Sequence, residues 1–290
     1  MSLLENAFEK YRTDGAIPLC HSALEMARKR VLRRAYRTLL IVGYGWAYYR
    51  ILKLLGNEMI VEQKGVAIDI SASVFSPRTR YLHRRHSLNH DVGFLCRIIE
   101  HYADRSKEAT IIELGAGSGF TACYFSERID TDLYIAVEAN QSLIPVLENT
   151  RRLNGAEFET VHRAYSPSSA AVDFYQHSNF LASGTHPRLK SNQPVSVPTV
   201  TLGDLCREYD LDEFILFANM EGTEFELLEA ELPLLRQKCP LAVIAFHEFA
   251  GDVHATLDSL LEHGYEVVDT RGDFYLLATD PIETGSETHR

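Results

Sequence analysis

Three glycines at alternate positions, Gly115, Gly117 and Gly119, close an apolar run that begins Ile111-Ile-Glu-Leu114. A helix is expected to begin at Phe120. Glycine has no Cβ and accepts positive φ, so a strand that stops in such a turn lets the backbone come close to a ligand. The helix that follows points its N–H groups at the same spot. Nineteen residues after Gly119 a second apolar run, Leu133-Tyr-Ile-Ala-Val137, ends in Glu138, whose carboxylate can accept both hydroxyls of a ribose. The dinucleotide fingerprint G-x-G-x-x-G does not fit, because counting from Gly115 its third glycine falls on Phe120. A second group could move protons: Glu221, Glu224, His247 and Glu248 all sit just past the ends of apolar runs. Acids and imidazoles there suit general base chemistry. Adjacent strand residues point to opposite faces, so at most one of His247 and Glu248 faces a common site.

The elements that must carry these residues alternate. Strands are expected at about 110–114, 133–137, 158–163, 213–219, 241–246, 265–270 and 273–278, with helices at about 119–129, 141–153, 202–209, 223–236 and 252–263. Such alternation implies an α/β fold with a mostly parallel sheet and helices on both faces. Ligands of open α/β sheets bind beyond the C-terminal strand ends, where the candidate residues lie. Only Arg271-Gly272 separates the last two strands, so a C-terminal hairpin with one antiparallel strand is expected. The polar stretch 177–194 reads as the longest loop, of the kind that serves as a lid. Upstream, 58–71 alternates around Lys64-Gly65 as a hairpin, and 88–103 reads as a helix leading into the core. The organisation is therefore a helical, basic extension (1–56), a hairpin plus helix (57–105), a catalytic domain (106–280) and a polar tail (281–290).

An apolar fraction of 46% is ample for a buried core, and a net charge of −11 argues against a general nucleic-acid partner. Cys20, Cys96, Cys123, Cys206 and Cys239 are far apart and suit a reduced, cytosolic protein. The N-terminal region is the basic part. Leu24, Ala27, Val31 and Ala35 form a stripe at helical spacing among arginines, followed by Tyr44, Trp46, Tyr48 and Tyr49. This composition suits peripheral contact with the inner membrane face, or a helix docked on the catalytic domain with its basic side in water. His83, His86 and His90 share a helical face but lie among arginines, as a solvated or anion-facing surface does. Asp130-Thr-Asp132 fits a helix-to-strand turn. No metal site is expected.

The pattern Glu113-x-Gly115-x-Gly117-x-Gly119 resembles motif I of the S-adenosylmethionine-dependent methyltransferases, and the terminal hairpin is typical of their class I sheet. From Ile111 to about Ala278 the chain resembles the FkbM family more particularly. The resemblance rests on Val137-Glu138-Ala-Asn140, Leu147-Glu-Asn149, Leu153-Asn154, Val197-Pro-Thr-Val-Thr-Leu202 with Asp204-Leu205, and Val243-Ile-Ala-Phe-His-Glu248. Its most discriminating segment is Asn219-Met-Glu221-Gly222-Thr-Glu224 with Leu227-Leu228 behind it. The resemblance implies a Rossmann-like sheet, S-adenosyl-L-methionine as cofactor, and O-methylation of a sugar or glycan-linked hydroxyl in glycan biosynthesis. It implies a cofactor site made of Glu113, Gly115, Gly117, Gly119, Glu138, Asn140 and Asn219. Glu113 would help hold the methionine amino group, Asn140 would reach the adenosine or cap a helix, and Tyr165 and Ser166 would bracket the adenine. Glu221, His247 and Glu248 are the catalytic candidates, Glu221 first among them.

Two positions depart from the family. Phe217 stands where the family usually has Lys, and Asn219 where it has Asp. Asparagine keeps the shape and a carbonyl acceptor but cannot act as a base. The departures leave open an alternative reading, a non-catalytic partner or scaffold protein on the methyltransferase fold. A nicotinamide-dependent oxidoreductase is disfavoured by Phe120 and by the terminal hairpin.

Overall fold

The computed structural model describes residues 60–75, 92–103, 110–177, 183–185 and 193–279. The expectations for the basic extension, for His83, His86 and His90, and for the polar tail lie outside these residues, as does most of the 177–194 segment.

Seven strands form the central sheet. They are β3 (Thr110–Leu114), β4 (Leu133–Val137), β5 (Glu159–Val161), β9 (Ile215–Ala218), β10 (Leu241–Ala245), β11 (Glu266–Arg271) and β12 (Phe274–Ala278), in the spatial order β11-β12-β10-β9-β3-β4-β5. β5, β4, β3, β9 and β10 run parallel, and β12 is antiparallel to both β10 and β11. Chain order reverses between β3 and β9, so the switch point of the sheet lies at the C-terminal end of the glycine-bearing strand. This mostly parallel sheet with a single reversed strand is the class I methyltransferase arrangement.

Strand alternation sorts the side chains. Ile112, Leu114, Ile135, Val137, Leu216, Ala218 and Ile244 belong to one buried cluster with Leu202 and Leu205 of α4 (Leu202–Glu208), Leu227 and Leu228 of α5 (Glu224–Lys238), and Leu260 of α6 (Val253–Glu262). On the opposite face Phe217 meets Phe125 of α2 (Phe120–Ser126) at 5.7 Å and Phe274 at 5.6 Å between ring centroids. α1 (Val92–Ala103) precedes the sheet, and α3 (Ile144–Asn154) connects β4 to β5. Helix α4 starts at a sequence-encoded capping box: Thr201 Oγ1 accepts from the Asp204 N–H at 3.0 Å and Asp204 Oδ2 accepts from the Thr201 N–H at 2.9 Å.

The expected hairpin is β1 (Ile60–Gln63) and β2 (Val66–Asp69), turning through Lys64 and Gly65 at φ 49° and 90°. Two successive positive φ values make the turn whose twist matches its flanking strands. Asn154, at the end of α3, holds it: its Oδ1 accepts from the Ala67 N–H at 2.8 Å and its Nδ2 donates to the Ala67 carbonyl at 2.9 Å.

One element was not anticipated. β6 (Ala164–Tyr165), β7 (Ala171–Phe174) and β8 (Val195–Val200) form a separate three-stranded sheet, ordered β6-β8-β7. Beyond β7, a bridge from Tyr175 to Gly184 carries this sheet toward the switch point. Pro198 within β8 and the two-residue length of β6 hid the sheet, because proline argues against an interior strand.

Candidate functional site

A pocket opens at the switch point. Gly115, Gly117, Glu138, Asn140, Asn219 and Glu221 line it, together with residues of the small sheet. Six of the ten residues singled out in the sequence therefore meet here, although they are spread over more than a hundred positions.

The glycine turn has two distinct demands. Gly115 has φ 90°, and a Cβ there would stand 2.1 Å from the Asn219 carbonyl oxygen. The absence of a side chain lets the end of β3 pack against the end of β9, where the Asn219 N–H also donates to the Leu114 carbonyl at 2.9 Å. Gly117 has φ 59°, yet a Cβ there would meet no protein atom within 4 Å. Its open side is pocket space that a ligand can occupy. Gly119 lines no part of this pocket. A Cβ on it would lie 2.6 Å from Leu147 Cδ1, so it is a packing glycine between α2 and α3.

Glu138 is 6% exposed. Its Oε2 accepts from the Gly117 N–H and its Oε1 from the Asn140 N–H, each at 2.6 Å. Burial raises this carboxyl above the usual carboxylate range, and the backbone donors offset that only in part. The Ala139 amide is a third backbone donor to this carboxylate, which leaves acceptor capacity for a ribose hydroxyl. Asn140 is buried, and its Oδ1 accepts from the Ser142 N–H at 3.1 Å, closing the turn before α3 rather than capping the helix itself.

Glu113 is placed differently from expectation. Alternation along β3 turns it away from the Ile112–Leu114 cluster, and its Oε2 accepts from the Tyr134 hydroxyl at 2.9 Å. Burial pushes its carboxyl up to about 8, so at neutral pH it is a neutral acid inside the sheet's other face. It is not among the residues that line the pocket.

The catalytic candidates separate in the same way. Glu221 lines the pocket with its side chain 27% exposed, on a left-handed backbone at φ 58°. His247 sits beside it, with Nε2 3.7 Å from Glu221 Oε1 and Nδ1 3.1 Å from Glu224 Oε1. Desolvation draws the imidazole down, but hydrogen bonds and charge from Glu221 and Glu224 outweigh it and push it up to about 10. His247 is therefore a cation at neutral pH and a poor base. Glu224 is 0% exposed and engaged by the Met220 and Gly222 N–H groups as well as by His247, which removes it from the candidate bases. Glu248 stands exposed in the turn after β10 and is apart from this cluster.

Sequence reasoning missed Phe174 and Ser183, which line the pocket from the small sheet and the segment beyond it, and Arg163, which lines it after β5. Alternation in Ala171–Phe174 and Val195–Val200, on either side of the polar stretch, was the available signal. Tyr165 also lines the pocket, whereas Ser166 does not.

The two departures from the family pattern do not dismantle the pocket. Phe217 is a core aromatic between Phe125 and Phe274, so the side chain that replaces Lys has no place in the site. Asn219 still lines the pocket. Among the described residues no cluster of His, Cys, Asp or Glu could hold a metal, and Asp130 and Asp132 lie in the turn between α2 and β4. The described cysteines, Cys96, Cys123, Cys206 and Cys239, are free and buried.

A seven-stranded sheet with one reversed strand, and a pocket between a glycine turn and a strand-end acid, define a class I methyltransferase. Residues 113–267, more than half of the chain, match the methyltransferase FkbM domain, and the chain belongs to that family. It is an S-adenosylmethionine-dependent methyltransferase. Solved structures with a similar fold include the precorrin-6y C5,15-methyltransferase of Geobacter metallireducens (15% identity over 62% of this chain and 84% of that one, TM-score 0.38). TrmK of M. capricolum in complex with S-adenosyl-homocysteine is another (12% identity, 66% and 67%, TM-score 0.40). A third is the METTL16 MTase domain (11% identity, 75% and 75%, TM-score 0.43). All three are distant. No curated protein matches the chain in sequence.

Proposed function

We propose that the protein methylates a hydroxyl of a sugar or glycan-linked acceptor. The observation that carries this reading is Glu221, a partly exposed carboxylate at the pocket edge beside an exposed aromatic ring. Phe249 is 64% exposed and its ring lies 5.5 Å from that of His247. A carboxylate accepts hydroxyl protons, and an exposed aromatic face gains by covering an apolar surface, such as the C–H face of a sugar ring.

S-adenosylmethionine supplies the methyl group and the sulfonium leaving group. The turn at Gly115 and Gly117 and the Glu138 carboxylate suit its adenosine and ribose, with Asn140 and Asn219 completing the wall. Methyl transfer of this kind depends mostly on holding the reacting atoms in line, and a hydroxyl acceptor gains further from a base. Glu221 takes the acceptor's proton as its oxygen gains the methyl group. His247, already cationic, steadies the carboxylate and does not compete for that proton.

The test is transfer of labelled methyl from S-adenosylmethionine by the full chain to a panel of oligosaccharides and hydroxylated small molecules, with RNA alongside. Label in an alkali-stable methyl ether, lost in Glu221→Gln, is the expected result. Label only in RNA, or only in amines or carboxyls, defeats the reading.

A further inference from the structure

The turn between β9 and α5 is built around a side chain from outside it. Met220 N–H donates to Glu224 Oε1 at 2.6 Å and Gly222 N–H donates to Glu224 Oε2 at 2.8 Å. These two amides flank Glu221, so one carboxylate pins the backbone on both sides of it. Glu221 has φ 58° and Gly222 φ 118°. A non-glycine residue in the left-handed region is strained and persists only where its surroundings hold it. The two charge-assisted bonds to a fully buried acid do so here. The same carboxylate reaches His247 Nδ1 at 3.1 Å, leaving Nε2 toward Glu221. On the far side, a Cβ on Gly184 would lie 3.9 Å from the Glu221 carbonyl oxygen, so residue 221 sits against the segment beyond the small sheet.

We propose that Glu224 is a positioning residue: its carboxylate holds the 220–222 turn in the left-handed form that faces Glu221 into the pocket, and holds His247 by Nδ1 so that Nε2 is turned toward Glu221. The inference deepens the reading of Glu221 as the base and rests on it. The ordinary reading of an acid in the first turn of a helix, a partner for the helix dipole, does not account for a carboxylate shared between two loop amides and an imidazole.

The experiment uses the full chain carrying Glu224→Gln, with His247 followed by NMR through a pH titration. The charged groups facing His247 are Glu221 from the loop after β9 and Glu224 from α5; Phe249 is its uncharged neighbour, and Glu248 on its own strand end is exposed. The midpoint of His247 is expected to fall by about two pH units as one of its two carboxylate partners loses its charge. Turnover is expected to fall at least about twentyfold, with S-adenosylhomocysteine affinity held within about threefold. An unchanged His247 midpoint overturns the proposal. The titration needs no acceptor, so it is decided separately from the base reading: wild-type turnover in Glu221→Gln sinks the base, not the clamp. Where Glu224→Gln does not fold, residue 221 reports on the backbone instead. Glu221→Gly is expected to melt about 3 °C above Glu221→Ala, because glycine alone is unstrained at that φ. Equal melting temperatures overturn the left-handed turn and the proposal with it.

Discussion

Replacing Gly115 and Gly117 separately by alanine should give opposite phenotypes, although the two glycines lie two residues apart in one motif. At Gly115 the added methyl meets the Asn219 carbonyl oxygen at 2.1 Å and its carbon at 2.9 Å, both backbone atoms that cannot swing aside. Left-handed backbone costs an alanine roughly 1–2 kcal/mol, and forcing a methyl into a packed contact adds about 1–3 kcal/mol. The expected loss is therefore about 2–5 kcal/mol, a large share of a stability of about 5–15 kcal/mol. At Gly117 only the conformational cost applies, because nothing lies within 4 Å. Part of that cost is offset by the lower entropy of the unfolded alanine chain, leaving about 1 kcal/mol. The Gly117 methyl instead enters space assigned to the cofactor, so affinity for S-adenosylhomocysteine should fall at least about tenfold, or ~1.4 kcal/mol. Urea denaturation and titration calorimetry on both variants decide the matter. Wild-type affinity in Gly117→Ala would show that no ligand lies against that turn. Wild-type stability in Gly115→Ala would refute the packing of β3 on β9.

Other expectations test different parts of the molecule. Glu138→Ala should weaken S-adenosylhomocysteine binding by roughly 1–3 kcal/mol, the cost of orphaned hydroxyl partners and of the lost Gly117 and Asn140 bonds; unchanged affinity would mean that the ribose is elsewhere. Phe217→Lys, which restores the family's residue, should destabilise by about 3–5 kcal/mol, since it removes a core aromatic and lodges an amine among Phe125 and Phe274; a melting curve like wild type would show that the side chain has another route out. His247 is raised in the folded state, so its contribution is complete below its ordinary value of 6.5 and is lost as pH rises through about 10. Stability should fall over that window by on the order of 1–2 kcal/mol once solvent screening is allowed for, and a His247→Gln variant that keeps the same slope would remove His247 as its source. No helix among the described residues is long and apolar enough to cross a membrane. The arginine-rich N-terminal region with Trp46 should nevertheless carry the full chain onto anionic vesicles at low salt, and flotation without binding would end the membrane-surface reading.

How much was legible in the chain varied by element. The glycine turn, the strand-end Glu138 and the C-terminal hairpin were readable because each depends on local chemistry: positive φ, a carboxylate at a strand end, a two-residue turn. The apolar runs of β3 and β4 did not show which face Glu113 occupies, because both faces of those strands are buried. The motif suggested a cofactor contact, whereas its neighbours in three dimensions, Tyr134 above all, make it a buried neutral acid. The small sheet escaped because its strands are short, one carries a proline, and pairing joins segments separated by a polar stretch.

The sequence by itself determined the class of fold and the switch-point residues, because these follow from periodicity and from glycine, acid and turn chemistry at fixed spacings; the family entered through the resemblance of its motifs. Only the tertiary structure decided which acids are available. Glu221, Glu224, His247 and Glu248 all stood past strand ends as possible bases, with Glu221 placed first, but their spacing does not show which of them folding leaves accessible. Protonation depends on burial and on neighbours brought together by folding. That is why the chain's contacts leave Glu221 at the pocket, bury Glu224 beneath it, make His247 a cation and leave Glu248 in solvent.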